Sequence, residues 1–107
     1  VVRWSLRELI EYKFPDVKVV LAVSGEDGWR EYQESRPDLI VTDFNMPEGT
    51  GLDLAEKIQG ATPVILLTGH PPQTAPYVDV VLTKPPDIEE FLSTIKALLE
   101  RGVPERG

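Results

Sequence analysis

Short runs of Val, Ile and Leu punctuate the chain at Val17–Val23, Leu39–Thr42, Val64–Leu67 and Val78–Leu82. None alternates cleanly between apolar and polar residues over its whole length. That pattern suits strands covered on both faces, as in a parallel sheet. Around these runs the apolar positions take helical spacing. Leu6, Leu9, Ile10 and Phe14 mark a first helix. Ser24 with Asp27 opens a second, in which Trp29 and Tyr32 are expected to face inward. Leu52, Ala55 and Ile58 mark a third, closed by Gly60. The last is the clearest: Asp87 and Glu90 make a capping-box-like pair, and Ile88, Phe91, Leu92, Ile95, Leu98 and Leu99 form one apolar stripe. The predicted order is helix, strand, helix, strand, helix, strand, loop, strand, helix. Such alternation predicts an α/β fold with parallel strands joined by right-handed crossovers.

The 107 residues suffice for one domain. Residues 1–102 are expected to form it, with 103–107 a tail or the start of a linker. With no Cys, neither a disulfide framework nor a thiolate metal site is possible. A reducing, cytoplasmic setting fits that composition. The net charge of −7 argues against a nucleic-acid surface, which needs clustered Lys and Arg. The apolar runs are too short to cross a bilayer.

Candidate chemistry follows from strand direction. In an open α/β sheet, ligands bind beyond the carboxyl ends of the strands. Asp43 closes the second run, Thr68 closes the third, and Lys84 lies just beyond the fourth. Parallel strands would bring a carboxylate, a hydroxyl and an ammonium to one edge. A carboxylate can attack a phosphoryl group. An ammonium can pair with one of its oxygens, and a hydroxyl can hydrogen-bond another. Phosphoryl transfer is mostly positioning and electrostatics, so few groups are needed.

Asp43-Phe44-Asn45-Met46-Pro47 with Gly51, Val64-Ile65-Leu66-Leu67-Thr68-Gly69, Leu82-Thr83-Lys84-Pro85 and Pro37-Asp38-Leu39-Ile40 together resemble the receiver domains of two-component response regulators. The resemblance runs from Val1 to about Arg101. It implies a flavodoxin-like three-layer fold, a parallel sheet with helices on both faces. It also implies that Asp43 accepts phosphate from a histidine kinase or histidine phosphotransfer protein, that Thr68 swings toward the phosphoryl group and that Lys84 pairs with it. Asp43 and the backbone carbonyl of Asn45 would bind Mg²⁺, the Asn45 side chain would influence hydrolysis, and the Lys84–Pro85 bond would be cis. Such a module signals and is not an enzyme. It could form a homodimer, and this domain would contact neither nucleic acid nor membrane directly.

The chain departs from that pattern at three places. Val1-Val2-Arg3 aligns just after the family's first strand, so that strand and its Mg²⁺-binding acidic pair are absent from this chain. Unless Val17–Val23 and Leu39–Thr42 pair directly or another copy supplies a strand, the sheet has a central gap. The segment Gly69–Tyr77 holds Pro71, Pro72 and Pro76, which predicts a reduced fourth helix or a wholly irregular connection. Val81 stands where the family usually has an aromatic switch residue. These departures keep open an alternative, a degenerate receiver that binds partners without phosphorylation. A phosphatase with an aspartyl intermediate is disfavoured, because Asn45 stands two residues after Asp43 in place of a second acid. His70 has no Ser or Cys partner pattern and reads as exposed and non-catalytic. Trp4 and Trp29 read as packing residues. Gly49-Thr50-Gly51 lacks the further Gly and the Lys of a phosphate-binding loop.

Overall fold

A computed structural model describes residues 5–22, 25–43, 51–84 and 86–102. The expectations for Ser24, Asn45, Pro85, Trp4 and the 103–107 tail lie outside the described residues. In chain order the elements are α1 (Leu6–Lys13), β1 (Val19–Ala22), α2 (Gly25–Ser35), β2 (Leu39–Asp43), α3 (Gly51–Ile58), β3 (Val64–Thr68), β4 (Val80–Thr83) and α4 (Ile88–Gly102).

Local chemistry accounts for the helix ends. Ser5 caps α1 through a reciprocal box, its hydroxyl accepting from the Glu8 N–H at 3.1 Å and its own N–H donating to Glu8 Oε1 at 2.8 Å. Asp87 caps α4 by accepting from the Glu90 N–H at 3.0 Å. Past α3, Gln59 and Gly60 take φ of 53° and 79°, a left-handed exit that Gly tolerates without a Cβ penalty.

All the strands are parallel, in the order β1-β2-β3-β4. Strand alternation divides the core in two. On one face Leu39, Val41, Ile65, Leu67 and Leu82 meet Ile10 of α1 and Phe91, Ile95 and Leu98 of α4. On the other, Val20, Ala22, Ile40 and Val64 meet Tyr32 of α2 and Leu54, Ala55 and Ile58 of α3. Helices thus cover both faces, in the three-layer arrangement expected. The inner strands are covered over Leu39–Thr42 of β2 and all of β3. β3 is buried at every position, whereas β1 alternates half-buried and buried residues, because an outer strand leans on one neighbour. One other detail differs from the sequence reading. Ile88 belongs to the predicted stripe but is 41% exposed, outside the core cluster that Phe91, Ile95 and Leu98 join. Trp29 packs against the core as expected, half-buried and stacked on Tyr32 at 5.6 Å, with the Lys57 ammonium 5.7 Å from its ring centroid.

The gap is closed by direct pairing. Val19 opposes Leu39 and Ala22 opposes Thr42, so β1 and β2 are neighbours. An aspartate clasps this pair at its amino end. The Asp38 N–H donates to the Lys18 carbonyl at 2.8 Å, and Asp38 Oδ2 accepts from the Lys18 N–H at 3.0 Å. The same device recurs between β3 and β4: the Asp79 N–H donates to the Val64 carbonyl and Asp79 Oδ2 accepts from the Val64 N–H, both at 2.9 Å. Val64 is fully buried, so losing that acceptor strands a donor away from water. Asp79→Ala should therefore lower unfolding stability by about 1–3 kcal/mol, and Asp79→Asn, which keeps an acceptor oxygen, by clearly less. Urea denaturation of the two variants checks this, and equal losses would show that the hydrogen bond is not the cause.

Gly28 sets the spacing of α2 from the sheet. A Cβ there would lie 2.6 Å from Leu54 Cδ2 and 2.8 Å from the Ala22 Cβ. Gly28→Ala would gain about 1 kcal/mol of helix propensity. It would also drive α2 away from both neighbours, a repacking that typically costs about 1–3 kcal/mol. A net loss of stability is expected by thermal melting, and a higher melting temperature would refute the close-approach argument.

The Gly69–Tyr77 segment contains no helix, as its prolines predict. It ends in a turn in which the Val78 N–H donates to the Ala75 carbonyl at 3.2 Å, with Pro76 and Tyr77 at the centre. Tyr77 takes φ 65° there, a position that usually holds Gly or Asn.

Candidate functional site at the carboxyl edge of the sheet

Parallel register brings the ends of β2, β3 and β4 to one edge. Asp43, the last residue of β2, pairs with Leu67, and the next residue of β3, Thr68, pairs with Thr83. The Lys84 N–H extends the ladder by donating to the Thr68 carbonyl at 2.9 Å. The backbones of all three predicted site residues therefore meet along neighbouring strands. Their setting differs: Thr68 is fully buried, while Lys84 is exposed. The sheet interior beside Asp43 is dry, with Thr42 and Leu66 both buried and opposed in register.

The Thr68 hydroxyl accepts from the His70 N–H at 3.0 Å. A hydroxyl satisfied by neighbouring backbone is the ordinary alternative for a Thr at a strand end, and the Gly that follows favours such a turn. His70 itself is exposed. Val81, half-buried on β4, opposes Leu66. Among the described residues there is no group of three or more His, Cys, Asp or Glu side chains that could hold a metal ion. Asp43 and the Asn45 carbonyl offer hard oxygens, but the two do not fill the octahedral shell that Mg²⁺ demands. A groove of about 390 Å³ opens between α1 and β1, lined by Ile10, Val17, Val19 and Leu21 among others, and it includes none of the three site residues. Among the described residues, no helix is long and apolar enough to cross a membrane.

Comparison with known proteins bears on this arrangement. The family model of the response regulator receiver domain matches residues 1–96. The transcriptional regulatory protein GlrR of Escherichia coli is 36% identical over 95 residues, covering 80% of this chain and 21% of that protein. The response regulator MprA of Mycobacterium tuberculosis is 32% identical over 113 residues, covering 97% of this chain and 48% of that protein. The chain thus spans between about a fifth and a half of the length of these relatives. Among solved structures, the N-terminal domain of an uncharacterized protein from Wolinella succinogenes superposes with a TM-score of 0.72 at 27% identity, covering 87% of this chain and 81% of that one. A Francisella response regulator receiver domain superposes with a TM-score of 0.71 at 25% identity, covering 89% and 88%. A family match over nearly the whole domain, together with the parallel fold that it requires, establishes that the chain belongs to the response regulator receiver domain family.

Proposed function

We propose that this receiver domain is a phosphoacceptor and that Asp43 takes the phosphoryl group from a histidine kinase or a histidine phosphotransfer protein. The observation that carries the reading is the convergence of Asp43, Thr68 and Lys84 at one sheet edge through the register of three parallel strands. In the transfer, an Asp43 carboxylate oxygen forms a bond to phosphorus as the donor's phosphorus–nitrogen bond breaks, and the leaving imidazole takes up a proton. The Lys84 ammonium offsets negative charge on the phosphoryl oxygens, and the Thr68 hydroxyl donates to one of them. Among the described residues no group of carboxylates completes a Mg²⁺ shell, so no step is assigned to the metal. Asp43 and the Asn45 carbonyl are its ligands here if carboxylates from another segment complete the shell. In this reading the domain works in the cytoplasm as a signalling switch and not as an enzyme, and contacts nucleic acid, if at all, through other parts of the protein.

A second reading, a degenerate receiver that binds partners without phosphorylation, draws on Val81. A half-buried aliphatic there cannot reproduce the rotation of an aromatic side chain. The deciding experiment treats this chain, and a longer one carrying any residues its gene encodes before Val1, with acetyl phosphate and Mg²⁺ and follows intact mass. Uptake of one phosphoryl group by the longer chain supports the phosphoacceptor. Equal uptake by both shows that an upstream acidic pair is dispensable. No uptake by the longer chain, from small donors or candidate kinases, favours the degenerate reading.

A further inference from the structure

The sheet has two edges, β1 and β4. β4 runs into exposed, polar Thr83 and Lys84. β1 is Val19-Val20-Leu21-Ala22, without the charge or proline that natural edge strands use to discourage pairing. The backbone direction of β1 is fixed at Lys18, whose N–H donates to Asp38 Oδ2 and whose carbonyl accepts from the Asp38 N–H, both on the β2 side. Backbone groups of successive strand residues point to opposite sides, so Val20 and Ala22 also face β2. Val19 and Leu21 turn their N–H and carbonyl groups to the free edge, where they have no partner among the described residues. Their half-buried side chains, with Ile10 and Val17, line the groove of about 390 Å³ between β1 and α1. Open main-chain groups beside an apolar trough are what strand addition needs: the backbone bonds supply affinity and the side chains specificity.

We propose that the free edge of β1 is a self-association surface, to which β1 of a second copy adds antiparallel about a twofold axis through Val20. The pairing sets Val19 of each copy opposite Leu21 of the other, as hydrogen-bonded pairs that exchange N–H···O=C bonds in both directions. It joins two four-stranded sheets into one continuous sheet and lets the Val19 and Leu21 side chains of each copy close over the other's groove. Charge favours a second copy as the occupant. A net charge of −7 keeps copies apart over most of their surface, but the groove is balanced, with Arg7 and Lys18 against Glu11 and Asp16. The short connection over residues 14–18 makes α1 run back along β1, so Asp16 stands at the amino end of the strand and Arg7 toward its carboxyl end. Antiparallel addition therefore brings Arg7 of each copy to the Asp16 end of the other. Neither Arg7 nor Asp16 forms an ion pair among the described residues of one copy. The inference goes beyond the phosphoacceptor reading and does not depend on it. One short strand and one groove make a small interface, so the association is weak, micromolar or above.

The test is sedimentation of the chain from about 10 μM to about 1 mM, a range that brackets what a small interface supports. The expected result is a reversible monomer–dimer equilibrium. Val19→Pro should leave a monomer throughout, because it removes an N–H that faces the free edge and not the β1–β2 ladder. Its circular dichroism and urea midpoint should stay near native. Val19→Thr, which keeps the N–H, should still dimerise. Arg7→Glu should weaken the dimer roughly tenfold, since the twofold axis loses two exposed pairs and turns both repulsive. Adding Asp16→Arg to that variant should restore native association, a result that a merely structural role for Arg7 does not produce. A monomer at every concentration overturns the proposal. So does a dimer of native strength in Val19→Pro, which places the contact elsewhere on the molecule. Where Val19→Pro fails to fold, the charge exchange decides: no weakening by Arg7→Glu, or no rescue by Asp16→Arg, overturns the antiparallel β1 pairing.

Discussion

Asp43→Asn should abolish phosphoryl uptake from acetyl phosphate while leaving the fold unchanged. The substitution keeps the size and hydrogen-bonding outline of the side chain but removes the nucleophilic oxygen charge, so no acyl phosphate forms. Lys84→Ala should slow uptake without abolishing it. It removes a charge-assisted contact worth about 1.5–3 kcal/mol, equivalent to roughly a ten- to hundredfold change in rate. Intact mass and circular dichroism on the same samples separate chemistry from unfolding. Labelling of Asp43→Asn at the native level would place the acceptor elsewhere, on one of the chain's other carboxylates. Full activity of Lys84→Ala would remove Lys84 from the site despite the backbone bond that ties it to Thr68.

The largest effect on stability is expected at Phe91. It is fully buried where α4 crosses the face formed by Leu39, Val41, Ile65 and Leu67. Truncating a buried Phe to Ala costs about 3–5 kcal/mol through lost burial and the cavity left behind. Against a typical domain stability of about 5–15 kcal/mol, that loss can leave a substantial unfolded fraction at moderate temperature. Ile88→Ala, one turn earlier in the same predicted stripe, should cost far less than Phe91→Ala, because Ile88 is 41% exposed while Phe91 is fully buried. Chemical denaturation of both variants gives the comparison. Similar losses at the two positions would mean that Ile88 is buried in solution and that the start of α4 is placed differently.

That contrast shows where sequence reading stops. The stripe from Ile88 to Leu99 is a correct reading of helical period, and Asp87 does cap the helix. Period says which residues share a face but not how far the sheet beneath extends. The four strands were legible because Val, Ile and Leu runs of strand length stood between helical segments. The edge holding Asp43, Thr68 and Lys84 was legible because parallel strands must end together. The irregular 69–77 connection followed from its prolines, which no helix tolerates at that density.

Other features depended on partners distant in sequence. Whether Val19–Ala22 would pair with Leu39–Thr42 was open, because neither run encodes its neighbour. The pairing and its Asp38 clasp join residues about twenty apart. Gly28 reads locally as a weak helix residue; only the approach of Ala22 and Leu54 makes its missing Cβ a requirement. Asp79 reads as a loop acid until the buried N–H of Val64 meets it across fifteen positions. Tyr77 should avoid a left-handed backbone and adopts it because the chain must turn from the 69–77 segment into β4. By itself, the sequence determined the elements, their order and the chemistry at the strand ends, since helical and strand period, caps and prolines act within a turn or two of chain. Tertiary structure decided which strands touch, which apolar residues are covered and which hydroxyl is held, because each depends on surfaces that meet only when the sheet has formed.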